Sequence, residues 1–238
     1  MSEFIWGRRP VLEALRSKSS VEKILLAETG ADSPPIREVL KEAKDKAVPV
    51  ELLDRSQLTE IVGTDRHQGV VAEVGDFSYQ RLSELIEARP SRLLLLDGVT
   101  DPVNLGSILR SALAFGFHGV LLPRHRSVGV SAVVRKVAAG AAERVGVAQI
   151  GSPAETISRL KESDVFVVGL DPDGGEKYHE FDYPDSLCLV LGAEGKGLSR
   201  LVKERCDVTV RIPLSEEMAS LNVSVAAAIV MAQARLSE

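Results

Sequence analysis

Apolar positions recur with two alternating rhythms through the first 75 residues. In RRPVLEALRS (8–17), Val11, Leu12 and Leu15 fall at helical spacing, whereas VEKILLAE (21–28) is strand-like, with an apolar stretch at 24–27. PIREVLKEAKDKA (35–47) opens on a proline and places Ile36, Val39, Leu40 and Ala43 on one face, the pattern of an amphipathic helix. VPVELLD (48–54) reads as a strand, QLTEIVG (57–63) as a short helix closed by glycine, and HQGVVAEVG (67–75) as a last strand. This alternation predicts a small α/β sandwich. Residues 76–90 read as a connector carrying a short helix, with Pro90 marking the boundary.

From Arg92 the units lengthen. RLLLLDGV (92–99) is continuously apolar over its leucines, 93–96, as expected of a strand covered on both faces. Further strands are predicted at GVLLP (119–123), VGVAQI (145–150), VFVVGLD (165–171), LCLVLG (187–192) and VTVRIP (208–213). Helices are predicted at NLGSILRSALAFG (104–116), SAVVRKVAAGAAER (131–144), PAETISRLKES (153–163), LSRLVKERC (198–206) and NVSVAAAIVMAQARL (222–236). The pattern is that of a mostly parallel, doubly wound α/β domain. The expected organisation is therefore a first domain at 1–75, a linker at 76–90 and a second domain at 91–238.

Composition changes this picture little. The chain has 238 residues, 45% hydrophobic and 26% charged, as in ordinary globular proteins. No apolar run approaches the roughly 20 residues that span a bilayer. MSEFIWGRRP lacks the charged start and apolar core of a secretory signal, which points to the cytoplasm. Cys188 and Cys206 are compatible with a disulfide but read better as a reduced pair, and neither they nor the four scattered histidines have metal-ligand spacing.

The net charge of −5 argues against indiscriminate nucleic-acid binding. Yet between Asn104 and Ile150 the charges are Arg110, Arg124, Arg126, Arg135, Lys136 and Arg144 against Glu143 alone. That local excess could neutralise several phosphates. A solvated face with its acidic partners elsewhere explains it equally well.

Three segments carry candidate chemistry. LVLGAEGKGLS (189–199) is a buried strand opening into a glycine-rich turn, where backbone can approach a ligand because glycine has no Cβ. It has neither P-loop spacing nor the position of a dinucleotide fingerprint. IPLSEEMASLNVSVAAA (212–228) runs from a short strand through a polar loop into an alanine-rich helix; Ser220 is placed to cap that helix and Asn222 to sit in its first turn. Ser220 is no hydrolase nucleophile, since GxSxG is absent. The run Ala226–Ala228 suggests close packing against another helix, within the chain or across a dimer. In DGVTDPVNLGSILRSA (97–112), Asn104 is a candidate helix cap and Arg110 an exposed helical charge.

Taken together and in this order, NLGSILRSA (104–112), LVLGAEGKGLS and IPLSEEMASLNVSVAAA resemble the SpoU (TrmH-like) family of RNA ribose 2′-O-methyltransferases, within the SPOUT superfamily. IWGRRPVLEAL (5–15) and HQGVVAEV (67–74) resemble the RNA-binding domain of its RlmB-like branch, so the likeness covers nearly the whole chain. The resemblance implies a C-terminal domain with a trefoil knot and a homodimer packed through the knot region. It implies S-adenosylmethionine as methyl donor, met by Gly192, Ile212 and Leu221, with Gly195 and Gly197 giving the loop its turn. The implied substrate is a guanosine ribose of large-subunit (23S) ribosomal RNA. The implied catalytic-site positions are Arg110, Asn104, Glu194, Ser220 and Asn222, and no metal is implied.

In the family Arg110 is cast as a general base, but a guanidinium with a pKa above about 12 stays protonated. Binding the neighbouring phosphate and stabilising the emerging alkoxide is the reading its chemistry supports. Asn222 and Ser220 would orient the hydroxyl or hold the loop, and Glu194 would set Arg110 or the loop. One residue departs from the pattern: where the family commonly has glycine after IPM-x, this chain has Glu216. Two other readings follow, a transfer-RNA methyltransferase and a catalytically silent RNA-binding assembly factor.

Overall fold

The computed structural model describes residues 3–16, 21–29, 33–193, 197–218 and 220–236. The chain forms two compact units, one of residues 1–78 with 130–144, the other of residues 79–129 with 145–238.

The first unit runs β1 (Glu3–Trp6), α1 (Arg8–Arg16), β2 (Val21–Ala27), α2 (Pro34–Asp45), β3 (Val50–Leu53), α3 (Arg55–Val62) and β4 (Val70–Val74). Its sheet has the order β1-β4-β2-β3, with β4 antiparallel to both β1 and β2 and β2 parallel to β3. Strand alternation splits the core in two. Ile24 and Leu26 of β2 pack with α1 and α2, through Val11, Leu15, Ile36 and Val39. Leu25 and Ala27 face the other way, onto Leu58 of α3. Strand β1 escaped the sequence reading because it is a four-residue strand at the chain start, recognisable only by its pairing with β4. Between α3 and β4 lies His67, fully buried. The Gly69 N–H donates to its Nδ1 at 3.1 Å, so the ring proton sits on Nε2, 3.2 Å from Thr59 Oγ1. Burial lowers the pKa of this imidazole.

The remaining elements are α4 (Leu82–Glu87), β5 (Arg92–Asp97), α5 (Pro102–Ala114), β6 (Gly119–Pro123), α6 (Ala132–Ala138), β7 (Gly146–Ile150), α7 (Pro153–Glu162), β8 (Phe166–Leu170), β9 (Glu176–Lys177), β10 (Leu187–Gly192), α8 (Arg200–Arg205), β11 (Val208–Arg211) and α9 (Val223–Leu236). All but α6 build the second unit around a sheet of order β7-β6-β5-β10-β8-β11-β9, parallel at every pairing. Leu93, Leu95, Cys188 and Val190 pack under Leu85, Ile157, Leu160 and Val202 of α4, α7 and α8. The alternate residues, Leu94, Leu96, Leu189 and Leu191, are buried on the opposite face, where α5 and α9 pack together. Helix α9, which carries the alanine run, thus packs on a helix of its own chain. Both cysteines are free, and burial pushes the Cys206 thiol up to about 12.

The stretch predicted as one helix at 131–144 is broken. Helix α6 ends where Ala139 and Gly140 turn left-handed (φ 52° and 92°), and a 3-10 turn follows at Ala141–Glu143. Helical periodicity continues across the break, so the sequence alone concealed it. These residues belong to the first unit: Lys136 Nζ lies 4.5 Å from the Trp6 ring centroid, and Arg135 pairs with Glu143 at 2.6 Å, the side chains 3% and 4% exposed. Arg135 is therefore neutralised inside the unit, which removes one cation from the phosphate-neutralising set, while Lys136 stays exposed with its ammonium against the Trp6 ring. Arg124 and Arg126 stay exposed, in the second unit.

Candidate active site

In a parallel sheet every strand ends on the same edge. Here chain order reverses between β5 and β10: β6 and β7 lie beyond β5, while β8 and β11 lie beyond β10. A crevice at such a reversal is the general ligand site of open α/β sheets. A cavity of about 1040 Å³ occupies it, walled by the ends of β8 (Leu170, Asp171), β10 (Leu191, Gly192) and β11 (Arg211, Ile212) and by Ser220, Leu221 and Ala226 around the start of α9. Gly192 is required by packing: a Cβ there would lie 2.1 Å from the carbonyl carbon and oxygen of Gly197. Gly197 itself has φ 63°, and its N–H returns to Ala193 O at 3.0 Å, closing the loop. Glu194 and Gly195, two of the predicted site residues, lie outside the described residues.

Polar bonds hold the cavity rim. Lys203 donates to Asp171 Oδ1 at 2.7 Å, and the same oxygen accepts the Asp173 N–H at 2.9 Å. This hydrogen bond raises the Lys203 pKa. On the β5 side, Ser199 Oγ donates to Asp97 Oδ2 at 2.9 Å, tying the far end of the glycine loop to the end of β5. Sequence reasoning missed Asp97, Asp171, Ser199 and Lys203. Their signal was positional, since Asp97 and Asp171 each close an apolar strand run.

Asn104 and Asn222, 118 positions apart, meet directly: Asn222 Nδ2 donates to Asn104 Oδ1 at 2.9 Å. The capping assignments change accordingly. Asp101, rather than Asn104, caps α5, its carboxylate accepting from Val103 N at 3.0 Å; Asn104 lies inside the first turn, 7% exposed. Asn222, rather than Ser220, caps α9, its Oδ1 accepting from Ser224 N at 2.9 Å and Ser224 Oγ at 2.7 Å. Ser220 is free to line the cavity. Glu216 lines it too, in a turn closed by Met218 N–H to Ser215 O at 3.1 Å; its φ is not positive, so this turn does not need glycine.

A second cavity of about 520 Å³ abuts the first, with Ala193, Gly197, Leu198 and Val223 lining both. Asn104 lines this second space, together with Asp97, Thr100 and Arg126. Arg110 lines neither. It is exposed on α5 and makes no side-chain hydrogen bond or ion pair among the described residues.

Residues 91–232 match the model of the SpoU rRNA Methylase family, and residues 4–80 match that of the RNA 2′-O ribose methyltransferase substrate-binding domain. The chain belongs to the SpoU methyltransferase family. It is 37% identical over 234 residues to YacO of Bacillus subtilis, described as a TrmH family tRNA/rRNA methyltransferase, covering 96% of this chain and 93% of YacO. A Mycobacterium tuberculosis protein described as an uncharacterized tRNA/rRNA methyltransferase is 39% identical over 236 residues, 98% of this chain and 73% of that protein. Among solved structures, the SpoU methyltransferase AviRb from Streptomyces viridochromogenes, in complex with AdoMet, superposes with a TM-score of 0.84 at 25% identity, over 99% of this chain and 90% of AviRb.

This SpoU-family chain is thus an RNA methyltransferase whose family uses S-adenosylmethionine. The large cavity fits that molecule chemically. Leu170, Leu191, Ile212 and Leu221 supply apolar wall for a nucleoside, Gly192 lets the Gly197 backbone pack directly against the end of β10, and Asp173 and Glu216 offer carboxylates to a cationic ligand. Among the described residues no helix is long and apolar enough to cross a membrane, and no cluster could hold a metal ion.

Proposed function

We propose that this protein methylates the 2′-hydroxyl of a guanosine ribose in 23S ribosomal RNA, in the cytoplasm, as a homodimer with a knotted C-terminal domain. The observation that carries the reading is the pair of abutting cavities at the β5/β10 reversal, one fitted to the methyl donor and the other open beside it. S-adenosylmethionine supplies an electrophilic methyl group. The chain's part is to hold donor and hydroxyl in line, which is worth up to about 7–11 kcal/mol where alignment is good. Gly192, Ile212 and Leu221 hold the donor, with Gly195 and Gly197 shaping the loop. Asn104 lines the acceptor space and is held by Asn222, and Ser220 lines the donor space. Glu194 orients the loop or a basic group. Arg110, permanently cationic, stabilises the negative charge that develops on the 2′-oxygen as the methyl–sulfur bond breaks and the hydroxyl proton passes to water. Arg110 lies outside both cavities of its own chain, and in the proposed dimer it serves the partner subunit's site.

The substrate-binding domain match at 4–80 supports RNA capture by the first unit. The test is methyl transfer from radiolabelled S-adenosylmethionine to protein-free 23S RNA and to transfer RNA, with mapping of the alkali-resistant linkage that a 2′-O-methyl group creates. Label at one guanosine of 23S RNA is expected. Label in transfer RNA alone would move the substrate to that class, and no transfer despite RNA binding would identify a silent assembly factor.

A further inference from the structure

We propose that the 520 Å³ cavity receives the target nucleotide and that Arg126 binds the phosphodiester beside its ribose, an assignment that rests on the methyl-transfer reading above. The cavity shares Ala193, Gly197, Leu198 and Val223 with the donor space, so a nucleotide in it lies against the donor across one wall. Its two carboxylates are already engaged. Asp97 accepts from Ser199, and Asp101 accepts from Val103 N–H as the cap of α5. Arg126 is the cation among the lining residues, and its side chain has no hydrogen bond or ion pair among the described residues.

The backbone indicates that Arg126 is held there. Its φ is 59°, in the left-handed region that costs an L-residue about 1–2 kcal/mol. The flanking bonds enforce it: Arg124 N–H donates to Ile150 O at 2.9 Å, and Val99 O accepts from Val128 N–H at 3.0 Å and Ser127 Oγ at 3.2 Å. The loop after β6 is thereby pinned to the loop after β5, with Arg126 at its crest. Strained non-glycine backbone that its neighbours over-determine is characteristic of functional positions. A guanidinium is also the group best matched to a phosphate, offering paired donors in one plane. Phosphate binding therefore belongs to Arg126, which lines the acceptor space of its own chain, and alkoxide stabilisation to Arg110.

The variants are Arg126→Gly, which relaxes the backbone while removing the charge, and Arg126→Lys, which keeps a point charge without the planar fork. Each is compared with wild type in the full-length protein by thermal melting, calorimetry with S-adenosylmethionine, filter binding to protein-free 23S RNA across a salt series, and steady-state kinetics. Arg126→Gly is expected to keep or raise the melting temperature, to keep donor affinity and to raise KM for RNA about tenfold or more, the effect of a hydrogen bond to a charged group. Its log–log salt slope should fall by about 0.7, the share of one single-strand phosphate. Arg126→Lys should fall between. A wild-type KM and salt slope in Arg126→Gly would overturn the assignment, as would a loss of donor affinity equal to the loss for RNA. Wild-type protein that bound RNA but not S-adenosylmethionine would instead overturn the methyl-transfer reading, leaving the salt slope to decide Arg126.

Discussion

Asn222 performs two tasks with one amide, and substitutions can separate them. Its Oδ1 caps α9 through Ser224 N–H, and its Nδ2 donates to Asn104, which is 7% exposed. In Asn222→Ala both are lost. The cap is worth about 1 kcal/mol. Removing the donor from a buried amide oxygen costs about 1–3 kcal/mol more, so a total of about 2–4 kcal/mol is expected. Asn222→Asp keeps an oxygen for the cap, where a carboxylate also favours the helix N-terminus, but presents an acceptor to an acceptor at Asn104. It should lose the second contribution alone. A double-mutant cycle with Asn104→Ala isolates the contact and should return a coupling of about 0.5–1.5 kcal/mol. The assay is urea unfolding followed by circular dichroism, because the single tryptophan, Trp6, reports the other unit. Equal destabilisation by Asn222→Ala and Asn222→Asp, together with zero coupling, would refute the argument.

Three further outcomes are expected. Gly192→Ala should abolish calorimetric binding of S-adenosylmethionine and lower the melting temperature, since its Cβ would lie 2.1 Å from Gly197, whereas Gly151→Ala, with nothing within 4 Å, should change neither. Because burial lowers the pKa of His67 in the folded state, the unfolded chain binds more protons in the acid range. Stability of the first unit is then full above the unfolded value of about 6.5 and declines as pH falls from there toward the lower folded value. Trp6 fluorescence in urea should show that decline between about pH 7 and 5 in wild type but not in His67→Gln; identical profiles would remove His67 as its source. Arg110→Ala should lose turnover with donor affinity intact, and mixing it with Gly192→Ala should restore part of the activity, because one site of the mixed dimer then has both a sound donor cavity and an intact partner arginine. No restoration would place Arg110 in its own chain's site.

Most elements were legible in the sequence because their signals are local. LCLVLG is a strand over the full span predicted, and Gly63 closes α3 with φ 68°, as its position after QLTEIV implied. What escaped depends on partners distant in sequence. Strand β9 has two residues and exists through its pairing with β11. That β10 inserts between β5 and β8 cannot be read from chain order, yet this insertion creates the crevice. The glycine loop and the start of α9 were recognisable as pieces of a site. The caps were misplaced by a few residues because Asp101 and Asn104, or Ser220 and Asn222, offer chemically equivalent side-chain oxygens, and only the backbone path selects between them. The smaller cavity could not be read as a unit, although Asn104 and Arg126 were each singled out, since its residues come from four separate parts of the chain, 97–104, Arg126, Ala193 with 197–199, and Val223.

The packing of residues 130–144 within the first unit has a consequence for how this protein could be rearranged by recombination. The family model that spans 91–232 treats those residues as part of the methylase, so the inherited module and the folded module have different borders. A gene fusion cut near residue 79 would transplant a first unit deprived of Lys136 against Trp6 and of the Arg135–Glu143 pair. The remaining methylase would carry that segment without the Trp6 ring on which Lys136 packs. Chimaeras with other RNA-binding modules should therefore be designed by exchanging both stretches together.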